Sequence, residues 1–242
     1  MTHSPLSGPH YFILGLKMLT RPGIRRWVIL PICINTLIFV LLGSIGWHYF
    51  SAFNHWFIAH TPDWLHWLAP LFSGVYLLIF LIISAYFFTW LANLIAAPFY
   101  AWLSEVIQRK HSDKPLADKT WREILASMPG TVMRQVRIIG YYLLRAIIVL
   151  LITLIPGINL FAGILWFLFS AWMLTMQNID YVCDNNDIDF YAMRKWMKNH
   201  WQHSMSFGAV VLFGMMIPVV NIIVLPAAVI GATLMVLNVS VP

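Results

Sequence analysis

Charge is the scarcest property of this sequence. Asp, Glu, Lys and Arg together make up 10% of its 242 residues, against 60% hydrophobic residues. A soluble domain carries about a quarter charged residues, because its surface must face water. A chain this poor in charge turns most of its surface toward something else, which excludes an ordinary soluble globular protein. The mean hydropathy of +0.76 agrees with an integral membrane protein. Cysteine is also rare: Cys33 and Cys183 are the 2 present, far apart in sequence, so a disulfide framework and a CxxC metal pair are both excluded. No G-x-S-x-G, HExxH or P-loop pattern occurs, so neither catalysis nor a bound cofactor is expected. The N-terminal stretch MTHSPLSGPHYFILGLK lacks a basic region, an apolar region and a small-residue cleavage site in series, and no cleaved signal peptide is expected.

What is present is unevenly placed. All 15 Lys and Arg fall in residues 17–26, 109–145 and 194–198, and none between 27 and 108. In a membrane protein the net charge of +6 is explained first by the cytoplasmic bias of Lys and Arg, with no call for nucleic acid. The bias places the N-terminus and everything after residue 98 in the cytoplasm, with the loop 51–66 outside. Residues 27–50 and 71–98 carry no charge and read as two long spanning helices, the first with Pro31 as a kink or restart point. The second is about 42 Å long as a helix, more than the ~30 Å hydrocarbon core, so it tilts or runs past the bilayer. Trp 12 and Tyr 9 suit extensive membrane–water interfaces.

The second half has a different pattern. Residues 99–145 read as amphipathic cytoplasmic or interfacial helices. Val132, Val136, Ile139 and Leu143 share one helical face, and Arg134, Arg137, Tyr141 and Arg145 the opposite one. The apolar segments 146–176 and 206–238 each break at I-P-x-x-N, once at Pro156 and Asn159 and once at Pro218 and Asn221. Their first arms are about 10–12 residues, or ~15–18 Å of helix, about half a bilayer. Such arms suit a re-entrant hairpin whose turn carries Pro and Asn, although one kinked spanning helix is the alternative. The expected fold is a single all-α membrane domain, 1–242, with two spanning helices and two partly penetrating hairpins. Hairpins this short line a pore only where several subunits meet, so a homo-oligomer is expected.

Three clusters bear chemistry. In TRPGIRRW, Thr20 is placed to cap a helix starting near Pro22, Gly23 admits close approach, and Arg25 and Arg26 offer planar donor forks. The first N–H groups of a helix lack internal partners and favour anions. Two readings stay open: an oxyanion cradle, or arginines snorkelling to lipid head groups. In PFYAWLSEVIQRK, Glu105 and Arg109 form an i, i+4 pair, with Arg134, Arg137 and Arg145 as further partners. This is either a surface ion-pair network or a polar path that attracts anions. Asp180, Asp184, Asp187 and Asp189 lack the Gly and terminal Glu of an EF-hand and read as a solvated cytoplasmic turn. His200 and His203 have metal-compatible spacing, but no Cys or carboxylate lies close to them in sequence and no metal is expected.

Together, RPGIRR, VILP with Asn35, YFFTWLANLIAAPFYAWLSE, LRAI, IPGIN…LWFLFSAWML and IPVVN…PAAVIGATLM resemble, in order and over nearly the whole chain, the CysZ family of bacterial sulfate transporters. The resemblance implies an oligomeric inner-membrane protein that admits sulfate, or a related oxyanion, for cysteine biosynthesis. It implies a sulfate site at Gly23, Ile24, Arg25 and Arg26, and an ion pathway through Glu105, Arg109, Arg134 and Arg137. Arg21 departs from the family pattern, standing where a Gln-like residue is expected before Pro22. With no ATPase motif and few carboxylates inside the spans, passive channel-like flow is favoured over proton coupling. The competing reading is a membrane scaffold or lipid-interacting protein whose arginines bind head groups.

Overall fold

The computed structural model describes residues 7–111, 121–217 and 220–239, and within them the side chains of all but 27–28, 31, 85, 89–98 and 121–132. The described residues are almost wholly helical: α1 (Gly8–Met18), α2 (Arg25–His60), α3 (Ala69–His111), α4 (Trp121–Thr153), α5 (Ala162–Asn185), α6 (Phe190–Asn199), α7 (Trp201–Met215) and α8 (Asn221–Asn238). Short 3-10 turns at Asp63–Leu68 and Ile158–Phe161 precede α3 and α5. Five stretches are long and apolar enough to cross a bilayer: Ile32–His60, Asp63–Phe88, Met133–Thr153, Ile158–Asn185 and Asn221–Asn238. The chain is a multi-pass membrane protein.

The chain divides into two compact units, residues 29–99 and residues 1–28 with 100–242. The first is a helical hairpin built on aromatic contacts between α2 and α3. Phe39 meets Phe88 at 5.4 Å, Phe53 stacks on Tyr76 at 5.2 Å, and Phe57 meets Phe72 at 5.2 Å, so numbers rise on one helix as they fall on the other and the pair is antiparallel. Ser73 donates to Asn54 Oδ1 across the same seam. At the loop, His66 Nε2 lies 3.0 Å from the Thr61 carbonyl, and Thr61 Oγ1 donates back to the Phe57 carbonyl at 2.6 Å. α2 runs through Pro31 and α3 through Pro98 without interruption, so neither proline separates elements. Helices at membrane depth tolerate proline where neighbouring groups satisfy the freed backbone.

The second unit is organised around α8, in which Val224 and every residue from Pro226 to Val236 are buried. Without a strong hydrophobic drive between helices in lipid, close packing through small residues holds such bundles together. A Cβ on Gly15 would sit 2.1 Å from the Ala227 carbonyl oxygen, and one on Gly231 would sit 2.7 Å from that of Tyr11, so α1 lies directly on the α8 backbone. Gly208 brings α7 equally close to Ala171 of α5. Buried polar side chains cross-link the helices. Thr175 Oγ1 donates to the Ser204 carbonyl at 2.6 Å, and Ser104 Oγ lies 3.0 Å from Thr233 Oγ1. Gln108 donates to Ser104 and accepts from Asn186 Nδ2 at 2.7 Å.

The two C-terminal hairpins differ from their expected form. α4 runs unbroken for 33 residues across position 145, where sequence composition divides an amphipathic helix from a hairpin arm. Charge alone does not stop a helix, and α4 leads into its turn as a rod of about 50 Å. Between α4 and α5, Ile158 N–H donates to the Ile155 carbonyl at 3.1 Å across Pro156 and Gly157, and Asn159 N–H donates to the same carbonyl at 3.2 Å. In the second hairpin α7 is short, 15 residues, and Asn221 opens α8. Pro218 lies outside the described residues.

Candidate functional site

The segment linking α1 to α2 is a turn dictated by Pro-Gly. Ile24 N–H donates to the Arg21 carbonyl at 3.1 Å across Pro22 and Gly23, and Gly23 has φ +85°. Proline supplies the fixed φ of the second position and glycine alone adopts a positive φ at the third without strain, the pattern of a type II turn. The same construction recurs at Ile155-Pro156-Gly157-Ile158, where Gly157 has φ +89°. α2 therefore begins at Arg25, not near Pro22. Thr20 does not cap it: its Oγ1 donates to the Lys17 carbonyl at 3.4 Å instead.

The result keeps the basic residues at a helix start. Arg25 N–H donates to the Arg21 carbonyl at 3.2 Å, and Arg25 and Arg26 occupy the first turn of a 36-residue helix, whose positive dipole end favours an anion. Ile24 is fully buried and pins the turn to the core, while Arg25 and Arg26 are exposed. Over the open face of the turn stands Lys110, from the last turn of α3. Its Nζ lies 3.5 Å from where a Cβ on Gly23 would be, and among the described residues no other group beyond the chain neighbours of Gly23 lies within 4 Å of that position. Sequence reading missed Lys110, because its neighbour Arg109 offered a partner and the contact joins distant parts of the chain.

The electrostatics separate two sets of cations. Arg109 donates through Nε and Nη2 to one oxygen of Glu105, at 3.0 and 2.9 Å. Arg134 is largely buried and bound to Asp180 at 2.6 Å, with Asp184 at 3.8 Å, the Ile188 carbonyl and the Met193 sulfur completing its surroundings. Arg137 faces Asp189 at 3.7 Å. By contrast, among the described residues no carboxylate lies within 4.0 Å of Lys17, Arg21, Arg25 or Lys110. Positive charge thus faces carboxylates at Arg109, Arg134 and Arg137, and among the described residues faces none at Lys17, Arg21, Arg25 and Lys110.

The acidic segment is a solvated turn only in part: Asp187 and Asp189 are exposed, whereas Asp180 lies on α5. Asp180 is buried against Arg134, and Asp189 caps α6 by accepting the Tyr191 N–H at 3.0 Å. A spacing signal was present: Met173, Met176, Asp180 and Cys183 recur every three to four residues along one face of α5, and all are buried. Among the described residues no three His, Cys, Asp or Glu converge as a metal site.

Comparison with known proteins places this arrangement. Residues 11–226 match the family described as Sulfate transporter CysZ/Etoposide-induced protein 2.4. The chain is 41% identical to the sulfate transporter CysZ of Pectobacterium atrosepticum, over 94% of this chain and 83% of that one. It is 40% identical to that of Pseudomonas aeruginosa, over 95% and 94%, and 40% identical to that of Salmonella typhimurium, over 97% and 93%. An all-helical membrane chain that carries the Pro-Gly-Ile-Arg-Arg turn and matches at this identity along nearly all its length is a member of the CysZ/Etoposide-induced protein 2.4 family.

Proposed function

We propose that this protein carries sulfate passively, in the manner of a channel, across the bacterial inner membrane into the cytoplasm, where it supplies cysteine biosynthesis. It is a transporter and not an enzyme. Sulfate binds at Gly23, Ile24, Arg25 and Arg26. One observation carries the reading: in a chain of this family, Lys17, Arg21, Arg25 and Lys110 face no carboxylate among the described residues and flank or overhang a Pro-Gly turn at a helix start, while Arg109, Arg134 and Arg137 each face a carboxylate. A dianion supplies the missing countercharge, taking donors from the first turn of α2 and from the guanidinium forks.

Of the four charged residues on the proposed path, Glu105 and Arg109 form an exposed pair that can open to a passing anion. Arg134 and Arg137 hold α4 on α5 and on the start of α6. Both hairpins dip into the bilayer from the cytoplasm, where the N- and C-termini also lie. With Arg145 at head-group level, only residues 146–153 and the turn extend further, about 12 Å of α4. α7, at 15 residues or about 22 Å, is also shorter than the ~30 Å core. The exposed apolar face of α4, with Val136, Ile139, Leu143, Ile147 and Leu150, suits contact with lipid or with a second copy in a homo-oligomer.

The test is labelled-sulfate uptake into proteoliposomes. Wild-type protein is expected to raise uptake well above empty liposomes, and no rise overturns the transport reading. Arg25→Ala with Arg26→Ala is expected to insert normally and bind sulfate at least about tenfold more weakly, from lost charge-assisted hydrogen bonds. Unchanged affinity overturns the site.

A further inference from the structure

Two arginines outside this site converge on one aromatic ring. Arg145 on α4 places its guanidinium carbon 5.3 Å from the centroid of Tyr141, and Arg194 on α6 places its own 4.5 Å from the same centroid. The two carbons therefore lie within about 10 Å of one another. Arg194 also faces the rings of Phe190 at 5.6 Å and Tyr191 at 5.7 Å. Neither arginine has a carboxylate within 4.0 Å among the described residues. The nearby acids are engaged elsewhere: Asp180 and Asp184 face Arg134, and Asp189 accepts from Tyr191 N–H and faces Arg137.

Aromatic contacts engage a guanidinium through its face and leave its in-plane N–H edge unspent. Here that edge is open. Arg145 is exposed and Arg194 half-buried, and among the described residues the buried Nε of Arg194 has no acceptor. Bringing two like charges to one ring costs energy unless something negative joins them. The planar edges match the oxygens of a tetrahedral oxyanion. Lys198, one helical turn beyond Arg194, adds a further cation with no carboxylate within 4.0 Å among the described residues. Tyr191 is exposed, and Trp201 just after α6 is exposed as well, as suits the head-group layer.

We infer that Arg145 and Arg194, held by Tyr141, form a second oxyanion site, separate from the Gly23–Arg26 turn, that takes a phosphate- or sulfate-type group. The group is carried either by an anionic phospholipid or by a free anion, and the test separates the two. The background is the full-length Arg25→Ala/Arg26→Ala protein, which removes the first site. Phosphatidylglycerol retained in native mass spectra reads the lipid source, with phosphatidylcholine as the neutral control. Calorimetric titration with sodium sulfate against sodium chloride reads the free anion.

Adding Arg145→Gln and Arg194→Gln is expected to weaken whichever of these is bound by about tenfold or more. Loss of phosphatidylglycerol retention identifies a lipid phosphate, and loss of the sulfate isotherm identifies the free ion. If both readouts are the same with and without the glutamines, the proposal is overturned. Arg145→Lys with Arg194→Lys keeps the charge and removes the planar edges, so it serves where the glutamine protein does not fold. It is expected to bind several-fold more weakly than the arginine protein, and equal binding overturns recognition by the guanidinium edges.

Discussion

Arg134 Nε and Asp180 Oδ1 lie 2.6 Å apart with side chains only 10% and 9% exposed, so α4 and α5 are joined by an ion pair almost wholly removed from water. Deleting one partner strands the other charge, at a cost of about 3–5 kcal/mol, whereas replacing both with apolar side chains is often close to neutral. Arg134→Met alone and Asp180→Leu alone are expected to unfold at markedly lower temperature in detergent, and the double variant to regain most of the loss. Arg137→Ala, at an exposed pair, is expected to shift stability by less than about 1 kcal/mol. Equal losses in the single and double variants would contradict this account.

The paired Pro-Gly turns provide an internal control. Gly23 and Gly157 adopt φ +85° and +89°, and an L side chain at either position costs about 1–3 kcal/mol. Gly157→Ala is expected to lower thermal stability and leave sulfate affinity as it was. Gly23→Ala is expected to lower both. Titration of sulfate against each purified variant, alongside its melting curve, checks the separation.

Lys110 adds one charge at short range to the turn at Gly23. At about 4 Å in water a unit charge is worth a factor of about five in affinity, and salt near 0.1 M screens beyond about 10 Å. Lys110→Gln is expected to weaken binding of the sulfate dianion by at least about fivefold at low ionic strength, with a smaller effect as salt rises. Lys110→Arg is expected to restore most of it. A glutamine variant that matches wild type at every salt concentration would remove Lys110 from the site.

Leu160, at the tip of the first hairpin, is 84% exposed. With Cys33 replaced by Ser, Leu160→Cys is expected to resist a membrane-impermeant thiol reagent added to the periplasmic face of intact spheroplasts. A hairpin that crosses the bilayer would present the tip to the reagent and label readily.

How much was legible from sequence follows from which interactions are local. The part played by Gly157, with φ +89°, was not drawn from the Pro and Asn pattern, whereas the break in the apolar run at Pro156 was readable because proline chemistry is local. The charge-free stretches 27–50 and 71–98 lie within α2 and α3 for the same reason. The continuity of α4 was not readable: Arg145 marked a change in composition, and composition reports the surroundings of a helix rather than its end. Asp180 was misjudged because neighbouring aspartates made the segment look solvated, while its partner Arg134 lies on another helix. Lys110 above Gly23 and Arg194 above Tyr141 are likewise products of tertiary packing.

The seating of α1 on α8 has a consequence for biosynthesis. The turn at 21–24 follows directly from α1, whose backbone is held against Ala227 and Gly231. α8 is made after α1 to α7, so a nascent chain can have both long apolar helices inserted while α1, and the turn that follows it, rests on α7 alone, through Gly8 beside His203 and Phe12 against Phe207. On the proposed site, a chain stopped before residue 221 is expected to insert and to hold sulfate more weakly than the full chain, since the α8 half of the seat of α1 is missing.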